Sequence, residues 1–123
     1  MSDDVAALKE VGQGIAAALK DAGLAGKTLI LASSDMTHYE PEESAREKDK
    51  QAIDAILALD EDALVERIRR YHISMCGYAP AIVMIAAAKA LGATKAELTD
   101  YQTSAAASGD TSSVVGYAGI IVY

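Results

Sequence analysis

The sequence predicts an α/β protein built on a partial sheet with flanking helices, in the order α-β-α-α-α-β-β. Three observations carry that reading. Apolar residues recur at helical spacing in four separate stretches. The short run Lys27–Ala32 is apolar without alternation, as in a strand covered on both faces. The closing stretch "SVVGYAGIIVY" is strongly β-forming.

The elements follow in order. Val5, Leu8, Gly12, Ile15 and Leu19 mark a first helix, which Gly23 can stop. The strand Lys27–Ala32 comes next. Pro41 suits the first turn of a second helix, whose start is favoured by Glu40, Glu42 and Glu43. Ala45, Ala52, Ile53, Ile56 and Leu57 form its apolar face. Asp60 or Asp62 can cap a third helix carrying Leu64, Ile68 and Tyr71. A fourth helix is expected over 80–91, with Pro80 at its start and Gly92 beyond its end. It is apolar on every side, as a helix buried in a larger body would be. "AELTDYQTS" alternates like a strand, and "AAASGDTSS" reads as a flexible loop before the last one. Three strands can cover so apolar a helix and a two-faced strand only tightly, so part of the sheet is expected to be missing.

Length and composition bound the function. The chain has 123 residues, which is one domain over 1–123 with a single core. A net charge of −7 argues against a nucleic-acid or anionic-membrane surface, so neither partner is expected. The one cysteine, Cys76, excludes an internal disulfide framework and suits a reducing compartment. The start, "MSDDVAALKE", has no apolar signal core, and the run Ala79–Ala88 is too short to span a bilayer. A cytoplasmic location is the expectation.

The chemistry concentrates in two places. In "TLILASSDMTHYEPEE" a carboxylate and an imidazole, Asp35 and His38, follow the end of the expected strand. Open α/β sheets gather ligands at such ends. Histidine moves protons near neutral pH, and Asp35 can orient or charge-tune it. The alternative is a turn capped by Asp35, with His38 packed in a loop. Cys76 precedes Gly77 and the fourth helix, where free amides favour a thiolate that can ligate a metal or attack a carbonyl. The alternative there is a small buried apolar side chain. His72 suits a helix end. "REKDK", Arg46–Lys50, reads as a solvated helix face. "GQG" at 12–14 follows no strand and is not a phosphate loop. Tyr101 and Ser104 can line the same pocket as His38.

"ASSDMTHYEP", "ISMCGYAPAIVMIAAAKALGA" and "DYQTSAAASGDTSSVVGYAGIIVY" together resemble the C-terminal part of the Memo family, also known as protein B of the AmmeMemoRadiSam system. The resemblance runs from about Asp4 to Tyr123. It implies a larger α/β sandwich, about twice this length, related to the catalytic subunit of class III extradiol ring-cleaving dioxygenases. It implies that Cys76 is a metal ligand, that Asp35 and His38 line the same pocket, and that two further histidine ligands come from an N-terminal half. In the ring-cleaving relatives a glutamate stands at the Cys76 position; a thiolate suits zinc or copper at least as well as iron.

The expectation is therefore a C-terminal portion of that fold. It would hold a divalent metal (iron, zinc or copper) only with the N-terminal half, and none by itself. Its partners would be that half or a second copy of itself. If it is an enzyme, the resemblance implies a metal-dependent oxidoreductase. A non-catalytic module for a peptide or small ligand is the alternative. A cysteine hydrolase with Cys76 as nucleophile and His38 as base lacks an assignable oxyanion motif.

Overall fold

A computed structural model describes residues 5–123. Helix α1 spans Val5–Asp21 and a 3-10 turn follows at Ala25–Lys27. Strand β1 is His38–Glu40, and helices α2, α3 and α4 are Glu42–Leu57, Glu61–Tyr71 and Tyr78–Ala90. Strand β2 is Ala96–Thr103, a single helical turn α5 is Ala105–Ser108, and β3 is Val114–Val122. The mixed α/β class and the order of helices and strands agree with the sequence reading, with two changes.

The first concerns Lys27–Ala32, which forms no strand. Its composition is right, but ladder bonds need a partner, and β3 makes its pairs with β2 and, at Val114 and Val115, with β1. Leu29 and Leu31 stand 86% and 81% exposed, while Ile30 and Ala32 are half-buried. The alternation shows one face resting on the protein and the other open. The first strand is instead the short β1, so His38 lies inside a strand rather than beyond the end of one. The second change is α5, where the loop coils once before Gly109 turns at φ +74°.

The sheet has the order β1-β3-β2 and is antiparallel. β2 and β3 pair from Ala96↔Val122 to Thr103↔Gly116, with an irregularity between Leu98 and Asp100. β1 meets β3 only at His38↔Val115 and Glu40↔Val114. The core lies between α2, α3, α4 and one face of the sheet. Ile53, Ile56, Leu64, Met75, Ile82 and Ile85 are buried there, with Tyr101, Ala118 and Ile120 against them from the strands.

Local chemistry sets the helix ends. Pro41 stands one residue before α2, and Glu42 and Glu43 occupy its first turn. The Asp60 carboxylate accepts from the Ala63 amide at 3.0 Å and so caps α3. His72 closes α3 in the left-handed conformation. Buried Glu61 takes Lys89 Nζ at 2.8 Å and ties α3 to α4. α4 is buried along Ala81, Ile82 and Ile85–Ala87, and α1 covers another side of it. Gly12 makes that contact close: a Cβ there would lie 2.7 Å from the Ala86 Cβ. "GQG" is thus a packing feature of α1, as its place in a helical pattern suggested. No helix among the described residues is long and apolar enough to cross a membrane.

Candidate functional site

Two segments meet at the candidate site, 34–38 and 74–77. Ser34 joins them at one end. Its hydroxyl accepts the Gly77 amide at 2.8 Å and donates to the Asp35 carbonyl at 2.8 Å. The Cys76 sulfur lies 3.9 Å from the same oxygen. With the Ser34 proton already given to a carbonyl, any hydrogen bond in that contact has to come from the thiol. Gly77 is required there, since a Cβ would run into the Ser34 side chain and lie 2.8 Å from the Ser33 carbonyl oxygen. The "SSD" and "CG" motifs are therefore complementary surfaces.

His38 joins the segments at the other end. Its amide donates to Ser74 Oγ at 2.8 Å, and its Nδ1 stands 2.9 Å from the Ser74 carbonyl oxygen. A carbonyl only accepts, so Nδ1 carries the proton and Nε2 is the nitrogen left for chemistry. The Asp35 carboxylate lies 3.5 Å from Nε2. A proton arriving there is met by a negative charge, across a gap at the long limit of hydrogen bonding. The His38 and Asp35 side chains are 22% and 52% exposed, and Cys76 is exposed too, so all three are open to a ligand. No hydrogen bond joins Cys76 to His38 directly; they share a site through Ser34 and Ser74.

Among the described residues, no three His, Cys, Asp or Glu side chains converge as a metal-ligand set. Cys76 offers one soft donor, and His38 has one nitrogen taken by Ser74. These residues do not supply a full set of metal ligands by themselves, since zinc sites draw three or four ligands from protein.

Tyr101, Ser104 and Asp49 support these segments from neighbouring elements. Tyr101 points to Asp49, which links it by hydrogen bonds to the His38 segment. Ser104 accepts the Val115 amide at 3.1 Å and so braces the strand that pairs with His38. Asp49, read above as part of a solvated charge run, is 0% exposed. Its carboxylate accepts the Thr37 amide at 2.7 Å and the Tyr101 hydroxyl. Burial, and then the Asp49 hydrogen bond, push the Tyr101 phenol well above its ordinary pKa. A signal was present in the sequence: Asp49 falls in phase with Ala45, Ala52, Ile53 and Ile56, on the apolar side of α2.

Comparison with known proteins gives one consistent result. A family model described as Memo-like protein matches residues 1–121. A MEMO1 family protein of Methanopyrus kandleri is 45% identical over 118 residues, 96% of this chain and 41% of that protein. One from Methanosarcina barkeri is 50% identical over 113 residues, 92% of this chain and 42% of its own length. One from Methanocaldococcus jannaschii is 48% identical over 122 residues, 99% of this chain and 42% of its own. The chain spans about two fifths of the length of these curated relatives.

Proposed function

Since the chain belongs to the Memo-like protein family, we propose that it forms one wall of a metal-binding pocket related to that of class III extradiol dioxygenases, in a cytoplasmic protein. Cys76 contributes one ligand, a thiolate. His38 holds and moves a proton at Nε2, with Asp35 as its charge partner. The remaining ligands come from the part of the relatives' length that this chain does not span. Activity, whether redox or otherwise, needs both pieces.

The observation that carries this reading is the double stitch of the two motif segments. Ser34 ties Gly77, and Ser74 ties His38, so a soft sulfur and a proton-handling imidazole sit on neighbouring, solvent-reachable segments. The place for the complementary piece is supported by the open face of Leu29 and Leu31. Between Thr28–Ala32 and Ile120–Tyr123 lies a groove of about 440 Å³, walled also by Met84 and Leu91. Apolar exposure of this kind marks an interaction surface.

The test uses cobalt(II) as a spectroscopic stand-in for the metal. The full chain is titrated alone, then mixed with the unmatched portion of the Methanopyrus kandleri relative. The expected result is a thiolate-to-cobalt absorption band, and protection of Cys76 from iodoacetamide, only in the mixture. Both are lost with Cys76→Ala. A stable complex that shows neither signal would overturn the metal role, and peptide binding that survives Cys76→Ala and chelation would favour a non-catalytic binding module. Self-association of the chain without recognition of the added portion would overturn the complementary-partner claim.

A further inference from the structure

We infer that Asp49 is a positioning residue for His38, acting through the Thr37 amide. The inference rests on the reading of His38 as the proton-handling residue, and it starts from the burial of a full carboxylate. Burying such a group is strongly unfavourable unless its oxygens are satisfied. Here Oδ1 takes the Thr37 amide at 2.7 Å and the other oxygen takes the Tyr101 hydroxyl. Gly116 makes the space, since a Cβ at that position would overlap the carboxylate and lie 2.9 Å from the Tyr101 hydroxyl.

The backbone around His38 shows what this arrangement does. The Met36 amide donates to the Gly116 carbonyl at 2.9 Å, on β3. The Thr37 amide donates to Asp49, on α2. The His38 amide donates to Ser74 Oγ at 2.8 Å, on the loop before α4. Thr37 also accepts the Gly116 amide at 3.0 Å. Three successive amides are thus held by three elements. Only the Asp49 bond is both charge-assisted and wholly buried, where such bonds are strongest. Tyr101 fixes the carboxylate from the far side. Releasing Thr37 would let the peptide before His38 rotate, and the imidazole would lose its register on Ser74.

The test reads the imidazole itself. The full chain has two histidines, so a His72→Gln background leaves His38 as the sole imidazole. Long-range ¹H–¹⁵N correlation then reports its tautomer, and hydrogen exchange reports the Thr37 amide. In the parent, His38 is expected as a single Nδ1–H tautomer with Thr37 protected. An Nε2–H tautomer, or a Thr37 amide exchanging at the solvent rate, overturns the inference before any substitution at Asp49 or Tyr101. With Asp49→Asn the expected result is a mixture of tautomers. Thr37 exchange should also rise by about tenfold or more beyond the change in global stability. If that variant does not fold, Tyr101→Phe keeps the Thr37 bond and removes the outer one, and a rise of about threefold is expected. A folded Asp49→Asn variant in which either signal matches the parent, or a folded Tyr101→Phe variant with unchanged Thr37 exchange, overturns the inference. Failure of the metal reading shows elsewhere, as a complex without cobalt–thiolate absorption, and leaves these signals untouched.

Discussion

Two glycines two residues apart in α1 should respond in opposite directions to the same substitution. Alanine gains about 1 kcal/mol of helix propensity over glycine at either position. At Gly14 nothing lies within 4 Å of the added Cβ, so Gly14→Ala should raise stability by about 0.5–1 kcal/mol. At Gly12 the Cβ would stand 2.7 Å from the Ala86 Cβ and 2.9 Å from the Ala87 amide nitrogen, and against the Val83 carbonyl. Comfortable separation for carbon is about 3.5–4 Å. The obstacles are α4 backbone and one methyl, so no side chain can swing aside. α1 must back away by about 1 Å, a gap that forfeits a quarter to a half of the dispersion gained along the seam. Overpacking of this kind costs about 1–3 kcal/mol. Subtracting the propensity gain leaves Gly12→Ala destabilised by up to about 2 kcal/mol. Urea unfolding followed by circular dichroism measures both variants. With a slope of about 1–3 kcal/mol per M, the midpoint should rise for Gly14→Ala and fall for Gly12→Ala. A Gly12→Ala midpoint at or above the parent's would refute the seating of α1 on α4.

Two further predictions concern the segment around His38. Glu40 is held below its ordinary pKa of 4.5: burial pushes it up, but hydrogen bonds from Lys48 and Ser44 and the Lys48 charge outweigh that. A depressed folded pKa gives stability that is present above the unfolded value and lost as pH falls through the folded one. Glu40→Gln should therefore cost about 0.5–1.5 kcal/mol at pH 7, and the difference should close in acid denaturation curves below pH 4.5. Thr37 Oγ1 is buried and has no hydrogen-bond partner among the described residues. Thr37→Val should then hold or raise the thermal midpoint, because the hydroxyl contributes desolvation cost and no bond; a loss of more than about 1 kcal/mol would show that the hydroxyl is engaged.

What was legible in the sequence divides along local and non-local lines. α1 to α4 announce themselves through periodicity and through caps such as Asp60, which act within one turn. β2 and β3 announce themselves through β-branched and aromatic content. Lys27–Ala32 has equally good content, yet a strand exists only where another backbone meets it, and composition cannot report that. β1 escaped for the converse reason. It has three residues, one of them Tyr39 at φ +56°, and is held by pairing to Val114 and Val115. Asp49 was hidden by its neighbours: Arg46, Glu47 and Lys50 are exposed, while Asp49, in the same run, is turned inward.

The same division runs through the site. "SSD" and "CG" are recognisable as chemistry because each is a short string. Their placement is not in the strings. An edge strand in a regular ladder sends every second amide to its neighbour, whereas Met36, Thr37 and His38 send theirs to β3, α2 and the loop before α4. The direction of one imidazole is therefore set by residues near positions 49, 74 and 116, brought together only by the finished fold. A change in any of those elements reaches Nε2 through a single peptide. The loss of register this implies should be largest where the supporting bond is most buried, which singles out the Thr37–Asp49 contact over the more exposed bonds from Ser74.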